Sequence, residues 1–179
     1  MHIPSVLSSV VLLLATSLVS ASDICAYTDR ACMGTYSCCL NVAKGACCSW
    51  RNNFGWSVKY QNMPASWFGR AYSDSTCQRQ AVGISPLVIG PLCTSVLNNV
   101  NANWLSAGWG PGGGIPRRDT EDHVDDLNCV RPNVIGFTTE DGKEHLVKVP
   151  EGMVDELNEW VKTENFAKLL ELESVSGDA

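Results

Sequence analysis

Hydrophobic and polar residues change rhythm twice along this chain. Val6 to Val19 is apolar except for Ser and Thr. From about residue 23 to residue 110, short stretches bearing Val, Tyr, Trp and Thr are separated by clusters of Gly, Asn, Pro and Ser. Branched and aromatic side chains fit the pleated surface of a sheet and the clusters mark turns, so this region reads as β. Trp56-Ser57-Val58-Lys59-Tyr60 alternates inward and outward residues cleanly. Ala81 to Leu92 is apolar with Gly and Pro punctuation, and fits either an irregular insertion or one short helix. Further on, Val134–Thr138 and His145–Val149 flank Glu140-Asp141-Gly142, where Asp-Gly supplies the freedom of a hairpin turn. Between Glu151 and Leu172, Met153, Leu157, Trp160, Val161, Leu169 and Leu170 fall at helical spacing. Thr163 is placed to cap a second turn of helix, with a break near Glu164-Asn165. The C-terminal stretch is thus predicted as a small ββα tail whose helical stripe is a packing face.

One pattern occurs twice: an aromatic residue, a short gap, then a bulky residue, any residue and Gly. It runs from Tyr27 through Cys32 to Gly34, and again from Tyr60 through Trp67 to Gly69. A repeat of this length predicts one supersecondary unit used twice, the two copies closing one core. The Gly suits a hairpin folded sharply over its own sheet, because it takes positive φ without steric cost.

Val6–Val19 is too short for a comfortable membrane span, and Val19-Ser20-Ala21 offers small residues for cleavage. Residues 1–21 are therefore expected to be a signal peptide, with a mature start at Ser22 or Asp23 and a secreted, extracellular product. Cysteine use agrees. Of nine cysteines, eight (Cys25, Cys32, Cys38, Cys39, Cys47, Cys48, Cys77 and Cys93) lie between residues 25 and 93. In an exported chain that density is a disulfide framework, and cross-links supply stability that a small core lacks. The connectivity stays open at this level. Neighbours on a strand point to opposite faces, so the doublets Cys38-Cys39 and Cys47-Cys48 are each expected to tie two layers. Cys129 is left over.

Charge divides the chain. Asp23 to Arg118 carries three acidic and eight basic side chains, a net of +5; Asp119 to Ala179 carries sixteen acidic and five basic, a net of −11. Gly108 to Gly114 has linker composition, and Arg117-Arg118 follows it just before the charge reverses. That pair resembles a dibasic processing site of the furin or kexin type. The expected organisation is a signal peptide at 1–21, a cysteine-rich domain at 22–107, a Gly-rich linker ending in the dibasic site at 108–118, and an acidic tail at 119–179, a candidate propeptide.

Tyr27, Cys32 and Gly34, then Ser49 and Trp56, then Tyr60, Trp67 and Gly69, then Ser95 and Trp104, form an ordered double series that resembles the βγ-crystallin family. In that family an aromatic–x4–aromatic–x–Gly hairpin is followed by a Ser that pins it and by a strand with an aromatic. Cys32 replaces the second aromatic, and the second copy has two extra residues in its gap. The resemblance covers residues 25 to about 109. It implies a mainly β, two-motif Greek-key β-sandwich, here stapled by disulfides. Family members often bind calcium through [Asp/Asn]-[Asp/Asn]-x-x-[Ser/Thr]-Ser. Asn52-Asn53-Phe54-Gly55-Trp56-Ser57 departs from this at Trp56 and is out of register with Ser49, while Thr94-Ser95 is preceded by Gly90-Pro91 where the acid or amide belongs. Calcium takes roughly six to eight oxygen ligands, which a domain so poor in carboxylates supplies badly. No metal or other cofactor is expected, calcium being the one candidate.

Between Ser22 and Arg118 there is no His and no Glu. That removes Ser–His and Cys–His nucleophilic pairs, and oxidised cysteines leave no thiolate. Asp29 is expected in a turn hydrogen bond, and His123 among Glu121, Asp122, Asp125 and Asp126 reads as an acidic solvated loop. The expectation is a protein that is not an enzyme. It is a secreted, disulfide-stabilised binding protein, toxin-like or effector-like, acting at cell surfaces; some secreted killer toxins resemble the same fold. Arg30, Arg51, Lys59, Arg70 and Arg79 are its candidate contacts with an anionic cell surface. The acidic tail is a candidate partner of the basic domain. An extracellular protein target is the alternative, as for a protease inhibitor using Met63-Pro64-Ala65-Ser66 or Ala81–Pro91 as a stiff loop. An extracellular structural or calcium-binding matrix protein is the third reading. Neither nucleic acid nor stable membrane insertion is expected.

Overall fold

The computed structural model describes residues 21–50, 54–78, 80–84, 91–96, 103–111, 129–172 and 174–175, with the backbone alone for 80–84. The strands in chain order are β1 (Ala21–Tyr27), β2 (Tyr36–Ala43), β3 (Cys47–Ser49), β4 (Ser57–Gln61), β5 (Trp67–Tyr72), β6 (Gln80–Ile84), β7 (Leu92–Ser95), β8 (Ser106–Pro111), β9 (Cys129–Val130), β10 (Val134–Thr138) and β11 (Glu144–Lys148). Two helices, α1 (Val154–Lys162) and α2 (Phe166–Leu169), follow. The fold is mainly β, in two sheets. One is antiparallel with the order β11-β10-β2-β1-β4-β7; the other has the order β6-β5-β8-β3-β9, with β9 parallel to β3.

The two halves of the body exchange a strand. β1, β2 and β4 share the first sheet, but β3 crosses to the second and pairs with β8. β5, β6 and β8 share the second sheet, but β7 crosses to the first and pairs with β4. Each sheet is therefore completed by the third strand of the other half. Alternation along the strands then places Ile24, Ala26, Val58 and Tyr60 against Cys48, Ala71, Ala107 and Trp109 in one core. The indoles of Trp50 and Trp109 are buried but satisfied, donating to the carbonyls of Ser37 and Val42, both at 2.9 Å.

The chain leaves the expected plan at several points. Ala21, expected as the last residue of the signal peptide, is paired in β1, and the buried hydroxyl of Ser22, an expected mature start, donates to the Gln61 carbonyl at 2.6 Å. The linker expected from Gly108 is not one there: Gly108-Trp109-Gly110-Pro111 ends β8, with Gly108 opposite Cys47 and Arg70. Within the stretch Ala81–Leu92, residues 81–84 belong to β6 and Leu92 begins β7; 85–90 lie outside the described residues. Residues 1–20, where the signal peptide is expected, and 112–128, which hold Arg117-Arg118, also lie outside them.

The acidic tail does not stand apart. β10 extends the first sheet along β2 (Val134↔Cys38, Ile135↔Ser37, Gly136↔Tyr36), and β9 extends the second along β3. Ile135, Phe137, Val147, Leu157, Val161 and Leu169 enter the same core as Ile24 and Trp50. The Thr163 hydroxyl donates to the Glu159 carbonyl at 2.7 Å, so it closes α1 rather than opening α2. Leu170, part of the predicted stripe, is exposed. Among the described residues no helix is long and apolar enough to cross a membrane.

Candidate binding surface

Between β1 and β2 the chain folds back over its sheet through Ala31, Cys32 and Gly34, whose φ values are 59°, 55° and 79°. Only Gly takes such angles without strain, so the other two need holding. The Ser57 hydroxyl does this: it accepts from the Cys32 amide at 2.9 Å and donates to the Asp29 carbonyl at 2.5 Å. The device recurs after β5. The Ser106 hydroxyl accepts from the Cys77 amide at 3.1 Å and donates to the Asp74 carbonyl at 2.6 Å. The pins are thus Ser57 and Ser106, not Ser49 and Ser95, which lie in the exchanged strands; Ser95 accepts from the Ala31 amide. The second copy begins at Tyr72, and Tyr60 belongs to the last strand of the first. The signal was present and missed: Tyr27-Thr28-Asp29-Arg30-Ala31-Cys32 and Tyr72-Ser73-Asp74-Ser75-Thr76-Cys77 align without a gap. Ser57→Ala removes both part-buried hydrogen bonds, so it should lower the urea unfolding free energy by about 1–2 kcal/mol.

All eight expected cysteines are paired, as Cys25–Cys38, Cys32–Cys93, Cys39–Cys48 and Cys47–Cys77. Cys32–Cys93 ties the first hairpin to β7, and Cys47–Cys77 ties the second hairpin to β3, so each fastens an exchanged strand. Both doublets split. Cys38 joins Cys25 in a small cluster with Tyr27 and Val134, while Cys39 crosses the main core to Cys48. This cross-linking points to an extracellular or secretory environment. Cys129 sits opposite Cys47 in β9, its sulfur 3.6 Å from the Ser75 carbonyl.

The three described basic candidates do not converge. Arg51 and Arg79 lie outside the described residues. Lys59 pairs across β4 with Cys25 and Cys93 on the outer side of the first sheet, because its neighbours Val58 and Tyr60 face the core. Arg70, between buried Gly69 and Ala71, lies on the outer side of the second sheet and donates to the Pro111 carbonyl at 3.4 Å. Arg30 folds over the Trp56 ring at 4.7 Å and donates through Nε to the Val96 carbonyl at 3.0 Å. Lys59 and Arg70 thus face opposite ways, and Arg30 clamps the two halves.

Asp23 and Asp74 are taken up by nearby polar groups. Asp23 accepts from the Asn41 amide at 2.8 Å and from Asn62 Nδ2 at 3.3 Å. Asp74 accepts from the amide and the hydroxyl of Thr76, both at 2.8 Å, and from the Gln78 amide. The calcium candidate of the first unit is described only in part. Asn52 and Asn53 lie outside the described residues, the Ser57 hydroxyl is committed to its hairpin, and the Arg30 cation covers Trp56 where a hydroxyl ligand belongs. In the second unit, Thr94-Ser95 lies within β7. In the tail, His145 stacks on Phe137 and bonds Thr139 Oγ1 at 3.2 Å, while the Glu121–Asp126 cluster lies outside the described residues.

Three tyrosines carry a pH dependence. The Tyr36 hydroxyl donates to Glu144 at 2.7 Å. Burial, then the Glu144 hydrogen bond and charge, push Tyr36 well up; burial with Glu144 raises Tyr27, and burial raises Tyr60. Unfolded tyrosine titrates near about pH 10, so the folded state holds these protons more tightly. Their stabilisation is complete below that pH and is lost as pH climbs towards the folded values. The urea midpoint should therefore fall from about pH 9 to about pH 11, and Tyr36→Phe should shrink the fall.

A family model described as ARB_05566_N, N-terminal domain, matches residues 23–133, from within β1 to the residue before β10. No curated protein and no solved structure matches the chain. On the extent of that match, which takes in both exchanged strands, both pinned hairpins and all four disulfides, the chain belongs to the ARB_05566_N family.

Proposed function

We propose that this chain is a secreted, non-enzymatic, disulfide-stabilised binding protein, toxin-like or effector-like, that acts at cell surfaces. The observation that carries the reading is where the polar chemistry goes. Asp74, Ser57 and Ser106 are committed to turns, Asp23 bonds the Asn41 amide of β2, and four disulfides stiffen the body around them. A body held this way presents its surface with little ordering entropy to lose on binding. The exchange of β3 and β7, with pinned hairpins at equivalent places in the two halves, supports a βγ-crystallin-like pair of Greek keys. The basic side chains act through long-range attraction rather than as one patch.

The test is binding of labelled protein to intact cells in low salt and in 0.5 M NaCl. Binding should be lost at the higher salt, where screening shortens to about 4 Å. Equal binding in both, or none in either, ends this reading. Stoichiometric inhibition in a protease panel would favour the inhibitor instead. Its loop would be the exposed Ala65-Ser66 turn, since Met63 is buried in the core.

A further inference from the structure

We infer that residues 129–175 are a docked arm that stays on the body after the chain is cut within 112–128. Cleavage after Arg118 then yields a two-piece protein and frees no propeptide. This bears on the processing step and is independent of what the body binds.

The arm grips both sheets. β9 runs beside β3 in the second sheet, and β10 runs beside β2 in the first. Between them the Asn133 amide donates to the Cys38 carbonyl at 2.8 Å, Asn133 Oδ1 accepts from the Leu40 amide at 2.9 Å, and Arg131 reaches the Ser49 carbonyl at 3.4 Å. Apolar burial completes the seat. Phe137, Leu157 and Leu169 are fully buried in the core that holds Trp50, and Asn158 Nδ2 lies 3.5 Å from the Trp50 carbonyl. At the strand junction the Tyr36 ring lies over Gly136, where a Cβ would overlap it. Undocking would put these side chains into water and leave β2 an open sheet edge. An acidic shield held by charge would come off in salt; backbone pairing and apolar burial do not.

The experiment uses the full chain with a protease recognition sequence in a Gly-Ser linker inserted between Gly113 and Gly114. It is cut to completion and run on size exclusion at 0.15 M and 1 M NaCl. Both pieces should co-elute at the uncut volume in each salt and separate only in denaturant. The Cys129→Ser chain should behave the same, which excludes a covalent tether. Gly136→Val drives a side chain into the Tyr36 ring, so its cut form should release the arm at least about tenfold faster, with the uncut form eluting at the uncut parent's volume. If Gly136→Val fails to fold, the parent and Cys129→Ser chains still decide. An arm that elutes alone from the cut parent under native conditions, at either salt, overturns the inference. Cell binding is measured separately, so either result can fail without the other.

Discussion

Replacing Cys32 and Cys93 together with alanine is expected to cost about 4 kcal/mol of stability and about 10 °C or more in melting temperature. The bond joins residues 61 apart, against 9 for Cys39–Cys48, for which the same chain-entropy argument gives about 2.5 kcal/mol. Its position adds to its length. Cys32 is one of the residues with positive φ in the first hairpin, and Cys93 lies in β7, the strand that completes the first sheet from the other half. Opening it therefore frees a strained turn and an edge strand together. Calorimetry of the two double-alanine variants under non-reducing conditions decides the order. If Cys39–Cys48 proves the costlier loss, the hairpin is held by Ser57 and strand pairing alone.

Trp50→Ala should cost about 3–5 kcal/mol. Trp50 is 0% exposed, and its indole donates to the Ser37 carbonyl of β2. It lies just after β3 and shares a core with Leu157, Val161 and Leu169 of the arm. Truncation opens a cavity between body and arm and removes the indole's bond to the Ser37 carbonyl. Trp50→Phe keeps most of the volume and should cost about 1–2 kcal/mol. Urea unfolding followed by circular dichroism reads both. A loss within about 1 kcal/mol for the alanine variant would mean that this residue does not join the two parts.

Regular alternation was legible wherever a strand has two different sides. Trp56–Tyr60 announces β4 because Val58 and Tyr60 face the core while Lys59 faces out. Asp141-Gly142 announces the β10–β11 turn, where Gly142 has φ 80°. β3 and β7 are too short to show a period, and β8 is buried along most of its length. Gly108 and Gly110 make β8 look like a linker, although the same lack of side chains suits a crowded central strand. Gly69 misled the alignment of the repeat. It follows Trp67 at hairpin spacing, yet it is needed because a Cβ there would come within 2.8 Å of the Tyr60 ring. The cysteines were legible as a set but not as pairs, since pairing depends on the exchange of strands. Basic residues could be counted but not aimed: a shift of one position along a strand reverses the face. The apolar stripe of the tail declared something to bury without saying against what.

The exchange of strands also sets an order of manufacture. A ribosome delivers this chain from its N-terminus, and Cys25 with Cys38, then Cys39 with Cys48, emerge only 13 and 9 residues apart. Those bonds can form while the rest is still being made. β3 has no neighbour until β8 exists, and β2 has a bare edge until β10 arrives. A nascent chain halted before Ser106 is therefore oxidised yet unfinished, the form that chaperones and disulfide isomerases would have to hold until the last strands come through.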